Sequence, residues 1–132
     1  MLLKNRNIFI VEDNPGNLAV TSFYLERQGA KIHSDRWGTN TANLLREIMP
    51  VDAILMDLMF PNNVSGFDIF EQIHYIPELA HIPIIAVSAS DPDTAMPRAV
   101  AMGFAGFISK PISYLIAVHV ADIIAGKRVW DV

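Results

Sequence analysis

Four short apolar runs in this chain each stop at a polar group, and the four stops make one chemical set. They are Ile8-Phe9-Ile10-Val11 before Glu12-Asp13, Ala53-Ile54-Leu55-Met56 before Asp57, Ile84-Ile85-Ala86-Val87 before Ser88, and Phe107-Ile108 before Ser109-Lys110-Pro111. Runs of this length that are apolar on both faces read as strands covered on both sides, which is the pattern of a parallel sheet between helices. In such a sheet the strand ends collect on the carboxyl edge, where ligands bind. One edge would then hold three carboxylates, a hydroxyl and an ammonium.

The segments between the runs have helical length and helix punctuation. Asn14-Pro15 is a good N-cap followed by a residue suited to the first turn, and the spacing predicts a helix to about Gln28, stopped by Gly29. A short strand is expected over Ala30 to His33. Thr39 or Thr41 can cap a second helix carrying Leu44, Leu45 and Ile48, which Pro50 ends. Turn residues fill 59–66, and Phe67, Phe70 and Ile73 then fall at helical spacing. Asp91-Pro92 opens a fourth helix with Ala95, Ala99 and Met102 on one face, ended by Gly103, and a last helix is expected from about Ser113 to Ala125. Five strand–helix units with helical crossovers predict an α/β fold: a doubly wound, five-stranded parallel sheet with helices on both faces, of flavodoxin-like type.

Composition narrows the function. The chain has 132 residues, 52% hydrophobic and 18% charged, so one well-packed domain is expected, with its core over about 7–126 and no output domain on this chain. A formal charge of −4 carries no footprint for nucleic acid. With no cysteine, thiol chemistry and disulfides are excluded. The first residues are too few and too polar for a signal peptide, and the most apolar stretch, Ile112 to Ala125, is shorter than the ~20 residues of a membrane span and is broken by Ser113, His119 and Asp122. A cytoplasmic location with no membrane association is the expectation.

Two adjacent acids after one buried strand and a third acid after another would repel unless a cation lies between them. Oxygen-only ligands favour a hard ion, and Mg²⁺ takes few protein carboxylates while keeping waters. Lys110, whose backbone is restricted by Pro111, aims at the same edge and can pair with Asp57. Ser88 can donate to a phosphoryl oxygen there, or bond the backbone as strand-end hydroxyls commonly do.

In this order and spacing, Val11-Glu12-Asp13-Asn14, Leu55-Met56-Asp57-Leu58, Pro83 to Ala89 and Ser109-Lys110-Pro111-Ile112 resemble the receiver domains of two-component response regulators, over nearly the whole chain. The motifs around Ser88 and Lys110 are most similar to those of small single-domain members. The resemblance implies that Asp57 is the phosphoacceptor in a phosphorelay and that the donor is the phosphohistidine of a histidine kinase or a histidine phosphotransfer protein. It implies Mg²⁺ held by Asp13, Asp57 and the Met59 backbone carbonyl, with Glu12 acting mostly through water. It makes Ser88 and Lys110 the phosphoryl-binding residues, Phe107 the aromatic switch beside Ser88, and Lys110–Pro111 a cis peptide. The chain would be a signalling switch rather than an enzyme. Two departures stand out: the 61–66 loop is one residue longer than usual, with Ser65 where Asp is common, and Ser88 replaces the commoner Thr.

Three other readings compete. An aspartyl-phosphate phosphatase would carry a second Asp where Met59 stands. A flavin protein would want a hydroxyl- or glycine-rich phosphate loop where this chain has Glu12-Asp13. A docking module that had lost phosphorylation would not need Asp57, Lys110 and the acid pair intact. Finally, Leu115, Ile116, Val118, Val120, Ile123 and Ile124 lie nearly all round the last helix, so an exposed apolar patch and a homodimer or partner interface are expected there.

Overall fold

A computed structural model describes residues 1–61 and 63–130. Strands β1 (Asn7–Val11), β2 (Lys31–Asp35), β3 (Ala53–Asp57), β4 (Ile84–Ser88) and β5 (Gly106–Ser109) alternate with helices α1 (Pro15–Glu26), α2 (Thr41–Ile48), α3 (Gly66–His74), α4 (Pro92–Met102) and α5 (Ile116–Ile124). A short β6 (Val129–Trp130) follows. The sheet order is β2-β1-β3-β4-β5-β6, and every ladder is parallel.

The period of two divides the core. Along β1, Ile8 and Ile10 join a cluster with Leu25, Val120 and Ile123, while Phe9 and Val11 join Leu45, Phe67, Phe70 and Phe104 on the other face. Thus α1 and α5 cover one side, and α2, α3 and α4 the other. β3 and β4 are buried at all five positions, because helices lie above and below them. The chain reverses its winding between β1 and β3, which opens a crevice at their carboxyl ends.

The punctuation works in most places as expected. The Asn14 side chain accepts from the Asn17 N–H, Asp91 accepts from Asp93, and Gly103 takes a left-handed φ of 101° as the C-cap of α4. Three expectations need correction. Among the described residues the sheet has six strands rather than five: β6 pairs with β5, and the Trp130 side chain packs on the aromatic core face. Two residues are too few to show strand periodicity in sequence. Neither threonine caps α2: Asn40 holds that position without a side-chain bond, and the Thr41 hydroxyl donates to Asp35 instead. The last helix starts at Ile116 rather than Ser113, whose hydroxyl and carbonyl accept from Leu115 and Ile116 in a preceding turn.

On α5, Ile116, Ala117, Val120 and Ile123 face the sheet. Leu115 and Val118 are 42% and 39% exposed, and Tyr114 just before the helix is 70% exposed, so part of its apolar surface does reach solvent. Among the described residues, no helix is long and apolar enough to cross a membrane.

Candidate functional site

The residues singled out in sequence converge at the crevice. Glu12 and Asp13 follow β1, Asp57 ends β3, Ser88 ends β4, and Lys110 directly follows β5. The ladders put Asp57 beside Val87 and Ser88 beside Ser109, so three neighbouring strands deliver their polar ends side by side. The Lys110 N–H donates to the Ser88 carbonyl at 2.9 Å, which extends the β4–β5 ladder one step and turns the lysine over the edge. The Lys110–Pro111 peptide is cis, as the resemblance implies.

Lys110 bridges two acids rather than pairing with one. Its Nζ lies 2.8 Å from Glu12 Oε1 and 3.4 Å from Asp57 Oδ2, and all three side chains are largely buried. The other Glu12 oxygen accepts from the Asn14 N–H. Asp57 Oδ1 accepts from the Met59 N–H at 3.3 Å. Ser88, 1% exposed, accepts the Ser90 N–H on its hydroxyl oxygen, which leaves its proton to be donated into the cleft. Asp57, Met59, Ser88, Ala89, Ser90 and Lys110 line that cleft, whose volume is about 250 Å³.

Burial pushes the Asp57 carboxyl up to about 6, and Glu12 adds to the rise through a hydrogen bond and its charge. The Lys110 charge and the Met59 N–H offset part of it. For Lys110, burial works against the ammonium, but the hydrogen bond to Glu12 and the charges of Asp57 and Glu12 outweigh it. The net effect raises Lys110 above its ordinary value. One oxygen each from Glu12, Asp13 and Asp57 lie within 4.8 Å of one another, the one such group among the described residues. Three hard oxygen donors this close, with the Asp57 charge disfavoured by burial and by Glu12, suit a small divalent cation that would offset that cost.

The loop beside Asp57, where Ser65 stands in place of the commoner Asp, folds back on itself. Met59 bridges to Ser65, Phe60 N–H donates to Val64, and Gly66 N–H donates to Leu58, closing a small hairpin. The Ser65 hydroxyl accepts from the Phe67 N–H and caps α3. A Cβ on Gly66 would run into the Asp57 carbonyl oxygen and come within 2.9 Å of Leu58 Cα, so only glycine lets this loop lie against the end of β3. The Met59 side chain is 70% exposed, and its sulfur meets the Ser90 hydroxyl at 3.5 Å. Phe107 is fully buried in the aromatic cluster, two β4–β5 register steps before Ser109 and paired across β5–β6 with Trp130.

Sequence reading passed over Asp35 and Arg36. Asp35, buried at the end of β2, accepts from the Trp37 and Asn40 N–H groups and the Thr41 hydroxyl. Its carbonyl accepts from the Glu12 N–H, and Arg36 Nε donates to the Asp13 carbonyl. The signal was an aspartate two residues before Trp37, the spacing of an Asx turn.

A family model described as response regulator receiver domain matches residues 8–117. The chain is also 37% identical over 108 residues to the polar-differentiation response regulator DivK of Brucella ovis, covering 82% of this chain and 86% of that protein. The chain belongs to the receiver domain family. It is 30% identical over 128 residues to the probable histidine kinase 6 of Oryza sativa subsp. japonica, but spans only 13% of that protein. The receiver domain of the sensor kinase PA1611 from Pseudomonas aeruginosa superimposes with a TM-score of 0.80 at 24% identity, covering 92% of this chain and 99% of that one. That structure has a magnesium ion coordinated in its active-site cleft.

Proposed function

We propose that this receiver domain accepts a phosphoryl group on Asp57 from the phosphohistidine of a histidine kinase or phosphotransfer protein, and passes the signal on by protein–protein contact. The observation that carries this reading is the Lys110 ammonium, held between Glu12 and Asp57 and flanked by Asp13 and the Ser88 hydroxyl on one strand edge.

In the transfer, the P–N bond to the donor imidazole breaks as a bond forms between phosphorus and an Asp57 oxygen. The donor ring carries a proton on its other nitrogen, so the electron pair of the broken P–N bond leaves it as neutral imidazole and no proton passes to this site. The work asked of the receiver is positioning and charge stabilisation. Asp57 is oriented by the Met59 N–H on one oxygen and Lys110 near the other. As the phosphoryl group arrives, Lys110 neutralises its oxygens and Ser88 donates its proton to one of them. Glu12 keeps Lys110 in place when Asp57 loses its carboxylate charge. Glu12, Asp13, Asp57 and the Met59 carbonyl would hold Mg²⁺, which supplies charge neutralisation and alignment when bound. The magnesium-bearing neighbour supports that assignment for the same fold.

The chain acts in this reading as the substrate of a kinase rather than as a turnover enzyme. Met59 in place of a second acid supports it over a phosphatase, and the intact acid–lysine cluster supports it over a silent docking module. The product adds negative charge beside Ser88 and Lys110, the two groups that tie β4 to β5, so the adjoining surface is the natural output face. Incubation with Mg²⁺ and acetyl phosphate, followed by intact mass, tests the reading. Wild type should gain one phosphoryl group and Asp57→Asn none; full labelling of the variant would overturn the assignment.

A further inference from the structure

A second cation, Arg36, is tied to the backbone of the acid pair, on a loop built to hold it there. Asp35 locks the turn after β2 through three donors, at 3.3 Å from Trp37 N, 3.1 Å from Asn40 N and 2.8 Å from Thr41 Oγ1. The same turn is tied to the acid pair: the Asp35 carbonyl takes the Glu12 N–H at 3.3 Å, and Arg36 Nε donates to the Asp13 carbonyl at 3.3 Å. The guanidinium lies over the Trp37 ring, 4.5 Å from its centroid. No ion pair among the described residues engages it.

We propose that Arg36 is a specificity residue of the acceptor site, whose guanidinium captures the anionic phosphodonor at the mouth of the cleft. This rests on the reading of Asp57 as acceptor. Glu12, Asp13 and Asp57 set three acids against one lysine, and Mg²⁺ would bring that set only to about neutral, so an approaching dianionic phosphoryl group still meets the local repulsion of the carboxylates. A fixed cation at the rim offsets it. Arginine suits the task, because its Nε is used on Asp13 and its Cζ lies over Trp37, while among the described residues the two Nη groups have no partner and can act as a fork for phosphoryl oxygens. The cation–π contact holds the group near the ring without consuming a donor.

The competing role is mechanical: Arg36 could serve only to hold the Asp13 backbone. The two roles differ in the sign of one measurement. Removing a nearby positive charge weakens an anion and strengthens a cation, whereas loosening Asp13 weakens both. For Arg36→Ala, capture predicts that the half-saturating acetyl phosphate concentration rises by about threefold or more, that this rise carries the loss in efficiency, and that Mg²⁺ alone binds up to about threefold tighter. Arg36→Lys, keeping charge without the fork, should fall between the two. The donor dependence of wild type should also weaken with added salt more than that of Arg36→Ala.

A second arm needs no transfer: titration of the Mg²⁺-loaded protein with inorganic phosphate, followed by NMR, should show weaker binding to Arg36→Ala. If wild type were never labelled at Asp57 yet bound phosphate through Arg36, the phosphoacceptor reading would fail and the capture site would stand. Weaker Mg²⁺ binding to Arg36→Ala, or unchanged donor and phosphate affinities, would overturn the proposal.

Discussion

Asp57→Asn is expected to stabilise the fold at neutral pH, because the native state holds that carboxylate at a cost. The Asp57 carboxyl is pushed from 3.8 up to about 6, chiefly by burial and then by Glu12, with Lys110 and the Met59 N–H recovering part of the loss. The native protein therefore binds a proton at Asp57 more tightly than the unfolded chain does. Between about pH 4 and pH 6 the native state carries the extra proton, so stability falls as pH rises across that window and stays at the lower level above it. A rise of about 2 in pKa corresponds to about 3 kcal/mol. Asparagine keeps the shape and can still accept from Met59, while Lys110 keeps its 2.8 Å contact with Glu12 but loses its second partner. That loss leaves a gain of about 2 kcal/mol, or about 7 °C in Tm for a chain of this size. Thermal and urea unfolding in EDTA at several pH values would measure it. The two proteins should converge near pH 4 and separate fully by pH 7, and millimolar Mg²⁺ should then raise wild type but not the variant. A variant that is less stable at pH 7.5, or a difference that does not change with pH, would refute the reasoning.

Gly66→Ala should destabilise by about 2 kcal/mol or more and slow phosphorylation, since its methyl group meets the backbone of Asp57 and Leu58; chemical denaturation together with intact-mass labelling would show it. Self-association through the start of α5 is expected at micromolar concentration and should be lost in Leu115→Asp/Val118→Asp by sedimentation velocity; a monomeric wild type would remove the interface. Ile116 and Val120 are unsuitable for this test, because at 1% and 0% exposure a charge there would break the core instead.

The alternation of apolar runs with helix-length segments was enough to read a doubly wound parallel sheet, because a strand apolar on both faces has to be covered on both. The placement of acids, hydroxyl and lysine at run ends was also legible, since parallel strands put their carboxyl ends on one edge whatever the packing. What stayed out of reach depended on how segments distant in the chain cross. Lys110 could be aimed at Asp57 from sequence, but only the folded edge showed it nearer to Glu12. The apolar residues of α5 looked alike until contact with β5 and α1 buried Ile116, Val120 and Ile123 and left Leu115 and Val118 outside. Trp130 joined the sheet through a two-residue strand that has no periodicity of its own. Arg36 reads as one more surface arginine in the sequence; its place at the rim follows from Asp35 locking a turn against the acid pair of another strand. Periodicity and run ends are local properties of a chain, whereas the partner of a charge is set by tertiary distance.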